Sequence, residues 1–328
     1  MTQSTSGSPP QMTPPGRAAT ANGTSLTYFL FLQFSDRWDV RILLFALLFA
    51  LYLLTLAGNS LILLVTVVEP ALHTPMYFFI RNLSFLEICY TSVTVPKMLT
   101  GLLSADRSIS FTGCAAQLYF LLFFGTVECF LLASMSYDRY LAICRPLLYP
   151  ARMTPGVRLG LALACWSGGV FIPLGNTAGI FTLPFCGPPQ IDHFFCDFPP
   201  VLMLACVDTS PNEVGILASS LLITVLPLLF TAWSYACILC TVFKIPLAAG
   251  RRKAFSTCSA HLLVVTLFYC SASFIYLQPK AGYSPERDKF LAFFYTVLTP
   301  LLNPIIYSLR NKEVHKALRR TLKRQWFS

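Results

Sequence analysis

An acid, a base and a phenol stand side by side as Asp138-Arg139-Tyr140, directly after the apolar run Phe111–Met135. An ionised side chain costs roughly 2.5–3.5 kcal/mol at the centre of a membrane-spanning helix, so such a triplet belongs at the boundary with water. There the acid and base neutralise one another, and the triplet can latch one end of a helix bundle closed. A plain interfacial ion pair is the simpler alternative. Glu87 and Glu128 are equally out of place, each inside an apolar stretch. Two carboxylates at one depth cannot both stay ionised unless a cation or a shared proton lies between them. That is the chemistry of a sodium or proton-linked site, to be weighed against two neutral, hydrogen-bonded acids. No nucleophile accompanies the pair, so it is not a hydrolytic dyad. Paired zinc-type cysteine spacing is absent, and His193-Phe194-Phe195-Cys196-Asp197 cannot serve a soft metal while Cys196 holds a bridge. These residues point to a binding and switching protein, not an enzyme.

The elements that position them are apolar and long. Of 328 residues, 55% are hydrophobic and 12% charged, with a mean hydropathy of +0.63. A water-exposed surface needs more charge than this, and about 20 apolar residues suffice for one helix to cross a bilayer. Seven such blocks are present: 42–68, 76–98, 111–135, 159–181, 214–243, 255–277 and 290–309. The second is interrupted by Arg81, Glu87 and Lys97. The expected fold is an all-α membrane protein, a seven-helix bundle. It divides into an extracellular tail over 1–38, the helical domain over 39–309, and a cytoplasmic amphipathic helix and tail over 310–328. Pro227 and Pro304 free helix carbonyls and are candidate kinks.

Basic residues set the orientation. Arg139, Arg145, Arg152, Arg158, Lys244, Arg251, Arg252, Lys253 and seven more in the tail after Leu309 flank one side. Only Arg17, Arg37, Arg41, Arg107, Lys280, Arg287 and Lys289 flank the other. The richer side is expected in the cytoplasm, with the N-terminus outside. The net charge of +10 then suits anionic lipid headgroups or an acidic partner, not nucleic acid. Asn22-Gly23-Thr24 is an N-glycosylation sequon in the exposed tail. Of twelve cysteines, Cys114, Cys186, Cys196 and Cys206 fall on the oxidising side, and three pairings of these four are open.

Four motifs occur in order. They are Leu72-His73-Thr74-Pro75-Met76-Tyr77-Phe78-Phe79, the run Met135–Cys144, Lys253-Ala254-Phe255-Ser256-Thr257-Cys258-Ser259-Ala260-His261, and Pro300-Leu301-Leu302-Asn303-Pro304-Ile305-Ile306-Tyr307. The chain resembles the vertebrate olfactory receptors of the land-vertebrate class, odorant-sensing members of the rhodopsin-like G-protein-coupled receptors. The resemblance covers all seven blocks, from Gly58-Asn59 to Ser308-Leu309-Arg310-Asn311. It departs from the family pattern at Ser136, where alanine is usual, and at Cys270, where glycine is usual after Phe268-Tyr269. The resemblance implies the bridges Cys114–Cys196 and Cys186–Cys206. It places Glu87 and Glu128 at an inner sodium site, and makes Asp138, Arg139, Tyr140, Tyr235, His261, Asn303, Pro304 and Tyr307 the activation switch. It further implies coupling to the stimulatory, olfactory-type G protein, a rise in cAMP, and residence in the cilia of olfactory neurons.

A ligand site follows from helical spacing. Leu118, Leu121, Leu122 and Gly125 share a face of the third block, with Thr126 alongside. Ser219, Ser220 and Ile223 join them by resemblance. Tyr269, Ala272, Ser273 and Tyr276 form a stripe of the sixth block, and Phe293 and Thr296, beside Val297, come from the seventh. From Cys114 to Thr126 there is no acid to anchor an amine, and no lysine between Phe290 and Tyr307 for a retinal Schiff base. The expected ligand is a small, mostly neutral, hydrophobic odorant, with no cofactor beyond a sodium ion. A non-olfactory receptor for a lipophilic ligand is the nearest alternative. A transporter would show repeats and broken half-helices, and neither is seen.

Overall fold

The computed structural model describes residues 26–32, 35, 37–246, 248–277, 284–309 and 314. The Asn22 sequon, most of the 1–38 tail and nearly all of the 310–328 segment lie outside them.

Seven long helices make the bundle: α1 (Trp38–Val68), α2 (Pro75–Leu103), α3 (Phe111–Cys144), α4 (Pro155–Phe181), α5 (Ser210–Phe243), α6 (Ala248–Tyr276) and α7, which starts at Pro285 and ends at Leu309. Six are long and apolar enough to cross a membrane by length and composition. The other is α2, whose 29 residues carry Arg81, Glu87 and Lys97. Its charges are accounted for locally. Arg81 donates to the Thr66 carbonyl, and Lys97 Nζ reaches the Ser108 carbonyl at 2.6 Å. Helix starts follow ordinary capping chemistry. Ser110 Oγ accepts from Gly113 N at 3.1 Å, Thr154 Oγ1 accepts from Val157 N at 3.3 Å, and Pro75 and Pro155 occupy first-turn positions that lack a helical acceptor.

Helix α3 is the central post. In its apolar window 61% of residues are buried by protein, against 11% in α1, whose flank faces outward. It packs against α2, α4, α5 and α6, while α1 lies on α2 and α7. Gly168 and Gly169 let α4 approach closely, since a Cβ on Gly169 would sit 2.4 Å from Val127 Cγ2.

Two helices are widened. A π turn over Leu221–Val225 precedes Pro227 in α5, and another over Phe294–Leu298 precedes Pro300 in α7. A proline has no N–H for the carbonyl four residues back, so the turn before it opens. In α7 the Thr299 hydroxyl donates to the Phe294 carbonyl at 3.2 Å within that turn. Pro304 lies inside the α-helical stretch Thr299–Leu309, facing Gly58 of α1, while the widened turn precedes Pro300.

A small sheet lies across one end. β1 (Tyr28–Phe31) pairs antiparallel with β2 (Ser108–Ser110) and parallel with β3 (Gln190–Ile191). Phe29 is fully buried beneath it, with its ring against Phe111, Phe181 and Phe185. The tail before α1 is thus part of the end cap.

Candidate functional site

Beneath the sheet a small cavity opens between α2, α3, α4, α5, α6 and α7. Its walls include Leu121, Leu122, Gly125, Thr126, Ser219, Ser220, Ile223, Ala272 and Tyr276, nine of the fourteen residues expected there. The other five lie elsewhere. Leu118 is fully buried in the outer cluster beside Cys114 and Cys196. Tyr269 donates its hydroxyl to the Cys129 carbonyl at 2.7 Å, and with Ser273 it borders a separate groove between α5 and α6. Phe293 lines a groove against α1. Thr296 is fully buried and donates to the Ala292 carbonyl at 2.6 Å. The α6 stripe facing the cavity is Phe268, Ala272 and Tyr276, one position round from the expected one. In α7 the residue facing the cavity is Tyr295, within the π turn. Tyr90 of α2, Pro173 and Asn176 of α4, and Phe198 of the outer loop complete the wall and were missed. Cys129 was legible, since it lies four residues beyond Gly125 on the same face.

The loop above the cavity is pinned twice. Cys114 is bridged to Cys196 and Cys186 to Cys206, each with Cα atoms 5.5 Å apart. Gln117 Oε1 accepts from Cys196 N at 2.9 Å. The next residue, Asp197, is only 2% exposed and places a carboxylate at the roof. It accepts from Tyr295 at 2.9 Å, from Tyr276 at 3.4 Å and from Phe198 N at 2.8 Å. Burial raises this carboxyl to about 6, against the opposing hydrogen bonds. His193 is buried with its ring edge-on to Phe195 at 4.6 Å. Burial, with Lys289 adding, lowers it to about 3, so it stays a neutral packed ring.

A second polar station lies deeper in the bundle. Glu87 and Glu128 are fully buried and close enough to interact with each other, and Asn303 Nδ2 donates to Glu87. One oxygen of Glu87, both of Glu128, and the amide oxygen of Asn303 have no hydrogen-bond partner among the described residues. Acceptor-only oxygens gathered in this way fit a hard monovalent cation or shared protons. No group of three or more His, Cys, Asp or Glu that could hold a metal occurs among the described residues. Asn59 Nδ2 ties α1 to α7 through the Pro300 carbonyl at 3.1 Å.

The foot of α3 carries the third station. Arg139 pairs with Asp138 at 3.2 Å, and Asp138 Oδ1 also accepts from Tyr149 at 2.8 Å. Tyr149 belongs to a short helical turn, Tyr149–Arg152, in the following loop. Tyr235 of α5 and His261 of α6 join at 2.6 Å, and His261 Nε2 meets the Leu132 carbonyl of α3 at 3.1 Å. The Arg139 guanidinium lies in electrostatic range of Tyr235, His261 and Tyr307. Tyr140 packs on Trp233 with ring centroids 5.2 Å apart. Ser136, a departure from the family pattern, lies 3.3 Å from Thr231 of α5 and so adds a polar tie between helices. Cys270, the other departure, is exposed on the bundle's outer surface.

With this geometry in place, the comparisons are specific. A sequence profile described as "Olfactory receptor" matches residues 48–325. The chain is 54% identical to Olfactory receptor 10C1 of Homo sapiens over 304 residues, covering 93% of this chain and 97% of that one. It is 53% identical to Olfactory receptor 10A5 of Homo sapiens over 304 residues, covering 92% and 96%. Squid rhodopsin shares the fold, with a TM-score of 0.72 at 19% identity over 88% of this chain and 82% of that one.

Proposed function

The chain belongs to the olfactory receptor family and is an odorant receptor on a seven-helix, G-protein-coupled fold; from that premise we propose that its ligand is a small, mostly neutral hydrophobic odorant held in the outer cavity. The observation that carries this reading is a mostly apolar pocket walled by Leu121, Leu122, Ile223, Phe268 and Ala272 and dotted with hydroxyls. Such a site grips by dispersion and one or two hydrogen bonds, and discriminates by only about 1–3 kcal/mol per methylene. Broad tuning follows.

A ligand touching α3, α5, α6 and α7 at once shifts the bundle only as far as it prefers one arrangement of them. The arrangement that opens the inner end would free Arg139 from Asp138 for α5, α6 and a partner. The G protein is the stimulatory olfactory type, raising cAMP, and the chain performs no chemistry of its own. Glu87, Glu128 and Asn303 hold sodium or a shared proton as a modulator, which replacement of bath sodium by a large organic cation tests through basal cAMP. The N-terminus faces outward with Asn22 glycosylated, the basic end faces the cytoplasm, and the cell surface in question is the olfactory cilium.

Gly125 supplies the test of the cavity. A Cβ there meets nothing within 4 Å, so a larger side chain enters the empty space without displacing backbone. Gly125→Phe should abolish the cAMP response to every active odorant while surface expression persists. Unchanged potency across the panel would place the ligand elsewhere.

A further inference from the structure

Four of the hydroxyl protons at the cavity wall are already committed, those of Tyr295, Tyr276, Thr126 and Ser219. Asp197, held in the roof by the Cys114–Cys196 bridge beside it, is a buried carboxylate whose described partners are two phenols and one backbone N–H. An ionised carboxylate only accepts, so Tyr295 and Tyr276 must each turn their single proton toward it. Tyr276 also shares its proton with the Tyr295 oxygen at 3.3 Å. Both tyrosines line the cavity, and what they offer a guest is the oxygen. Lower in the wall, Thr126 donates to the Leu122 carbonyl at 2.7 Å, and Ser219 donates to the Ile216 carbonyl at 2.8 Å while accepting from Asn176 at 2.7 Å. Tyr90, Ser220 and Thr224 carry hydroxyls that rotate to suit either partner. The fixed polarity of the wall at Tyr276 and Tyr295 is therefore that of an acceptor.

We infer that the cavity selects odorants bearing a hydroxyl, recognised as hydrogen-bond donors by Tyr295 and Tyr276 under Asp197, over carbonyl and ether odorants of the same skeleton. This rests on the outer cavity being the odorant site. A ligand hydroxyl extends a chain that ends on a buried anion, and each bond in it polarises the next. A carbonyl ligand must instead recruit a wall proton. Taking the one from Tyr295 leaves the buried carboxylate short of a partner, which costs more than the new bond returns. The expected discrimination is about tenfold to a hundredfold in EC50.

The experiment compares a matched alkanol, alkanal and methyl ether of one chain length, with phenol and anisole alongside, in cells reporting cAMP. The receptor is run as wild type, Asp197→Asn, Tyr295→Phe and Gly125→Phe, with surface expression measured for each. Wild type should respond to the hydroxyl member at a tenfold or more lower concentration. Asp197→Asn replaces one acceptor oxygen by a donor N–H and removes the charge, freeing a phenol proton for the cavity, so the preference should shrink. Tyr295→Phe should shrink it as well, and it stands in if the Asp197 variant fails to reach the surface. Equal wild-type potency within a response that Gly125→Phe abolishes overturns this inference alone, and so does a preference unchanged in Tyr295→Phe. A response that survives Gly125→Phe overturns the cavity reading and this inference with it.

Discussion

At the scale of single residues, Arg139 is a largely buried charge with few partners among the described residues. Its side chain is 14% exposed, its Nε is buried without a partner among the described residues, and its one ion pair is with the adjacent Asp138. A buried, incompletely paired charge is costly in any single arrangement, and a second set of contacts at similar energy makes a switch. Arg139→Ala should therefore remove odorant-evoked cAMP, a loss of tenfold or more in maximal output, while surface labelling stays near wild type; retained output would mean the pair is only an anchor. Asp197 gives a pH dependence of defined sign. Its folded value of about 6 lies above the ordinary 3.8, so between about pH 4 and 6 the folded state binds more protons than the unfolded one. Folding stability thus increases as pH falls through this window, and stability is not what acid removes. The groups facing Asp197 are Tyr276 of α6, Tyr295 and Asp288 of α7, and Tyr90 of α2. Once protonated, Asp197 accepts less strongly, so the preference for hydroxyl odorants should fade from about pH 7 to about pH 5 in an alkanol-to-alkanal dose–response series. Arg139 and Glu87 were legible in the sequence because charge inside an apolar run is rare. Asp197, Tyr90 and Asn176 were not, because one polar residue in a loop or span is ordinary until its neighbours are known.

Among elements, the existence of each helix was legible and its rotation was only partly so. Spacing in α3 singled out Leu121, Leu122 and Gly125, which line the cavity on a helix that runs unbroken from Phe111 to Cys144. In α6 the cavity is lined by Phe268, Ala272 and Tyr276 and not by Tyr269 or Ser273, and in α7 by Tyr295 and not by Phe293 or Thr296. A π turn adds a residue to one turn and rotates everything beyond it by about 100°, and only Pro300 hints at this in the sequence of α7. The strand at Tyr28–Phe31 was invisible for a different reason. Its partners, Ser108–Ser110 and Gln190–Ile191, are far away in sequence, so no local pattern announces the pairing. Those outer elements hang on the Cys114–Cys196 link, which closes a separation of 82 residues and ties the loop to the head of α3. Closing a loop of this size is worth about 2–5 kcal/mol. It also holds Asp197 over the cavity. Cys114→Ala should thus cut surface expression several-fold in flow cytometry of intact cells, and variant receptors that do reach the surface should lose the hydroxyl preference. Normal trafficking with normal selectivity would show that packing around Phe29 and Ile191 suffices without the bridge.

Taken whole, the molecule is a polar axis inside an apolar shell. The roof at Asp197, the Glu87–Glu128–Asn303 station and the Asp138–Arg139 foot succeed one another down the bundle, while large apolar side chains such as Leu43, Leu54, Phe171 and Phe243 are exposed outward. An outward apolar surface of this kind is stable only in lipid, where every buried polar group must find its partner within the protein. This places strong demands on orientation. Arg145, Arg152, Arg158, Arg251 and Arg252 gather at the end that carries Arg139, whereas the sheet and both disulfides cap the other end. Bridges form and persist in the oxidising compartment, and basic flanks are retained in the cytoplasm, so two independent chemistries support the proposed orientation. An epitope before Leu26 should accordingly bind antibody on intact cells, and one after Val314 should do so only after permeabilisation. Single cysteines introduced into those two segments should react with an impermeant maleimide in the same pattern. Labelling of both from one face would require an even number of crossings and remove either α2 or α7 from the membrane. The Glu87–Asn303 hydrogen bond, which joins those two helices inside the bundle, would then have to be exposed to water. Its burial, together with the oxidised outer loop, is why the outward N-terminus is the expected result.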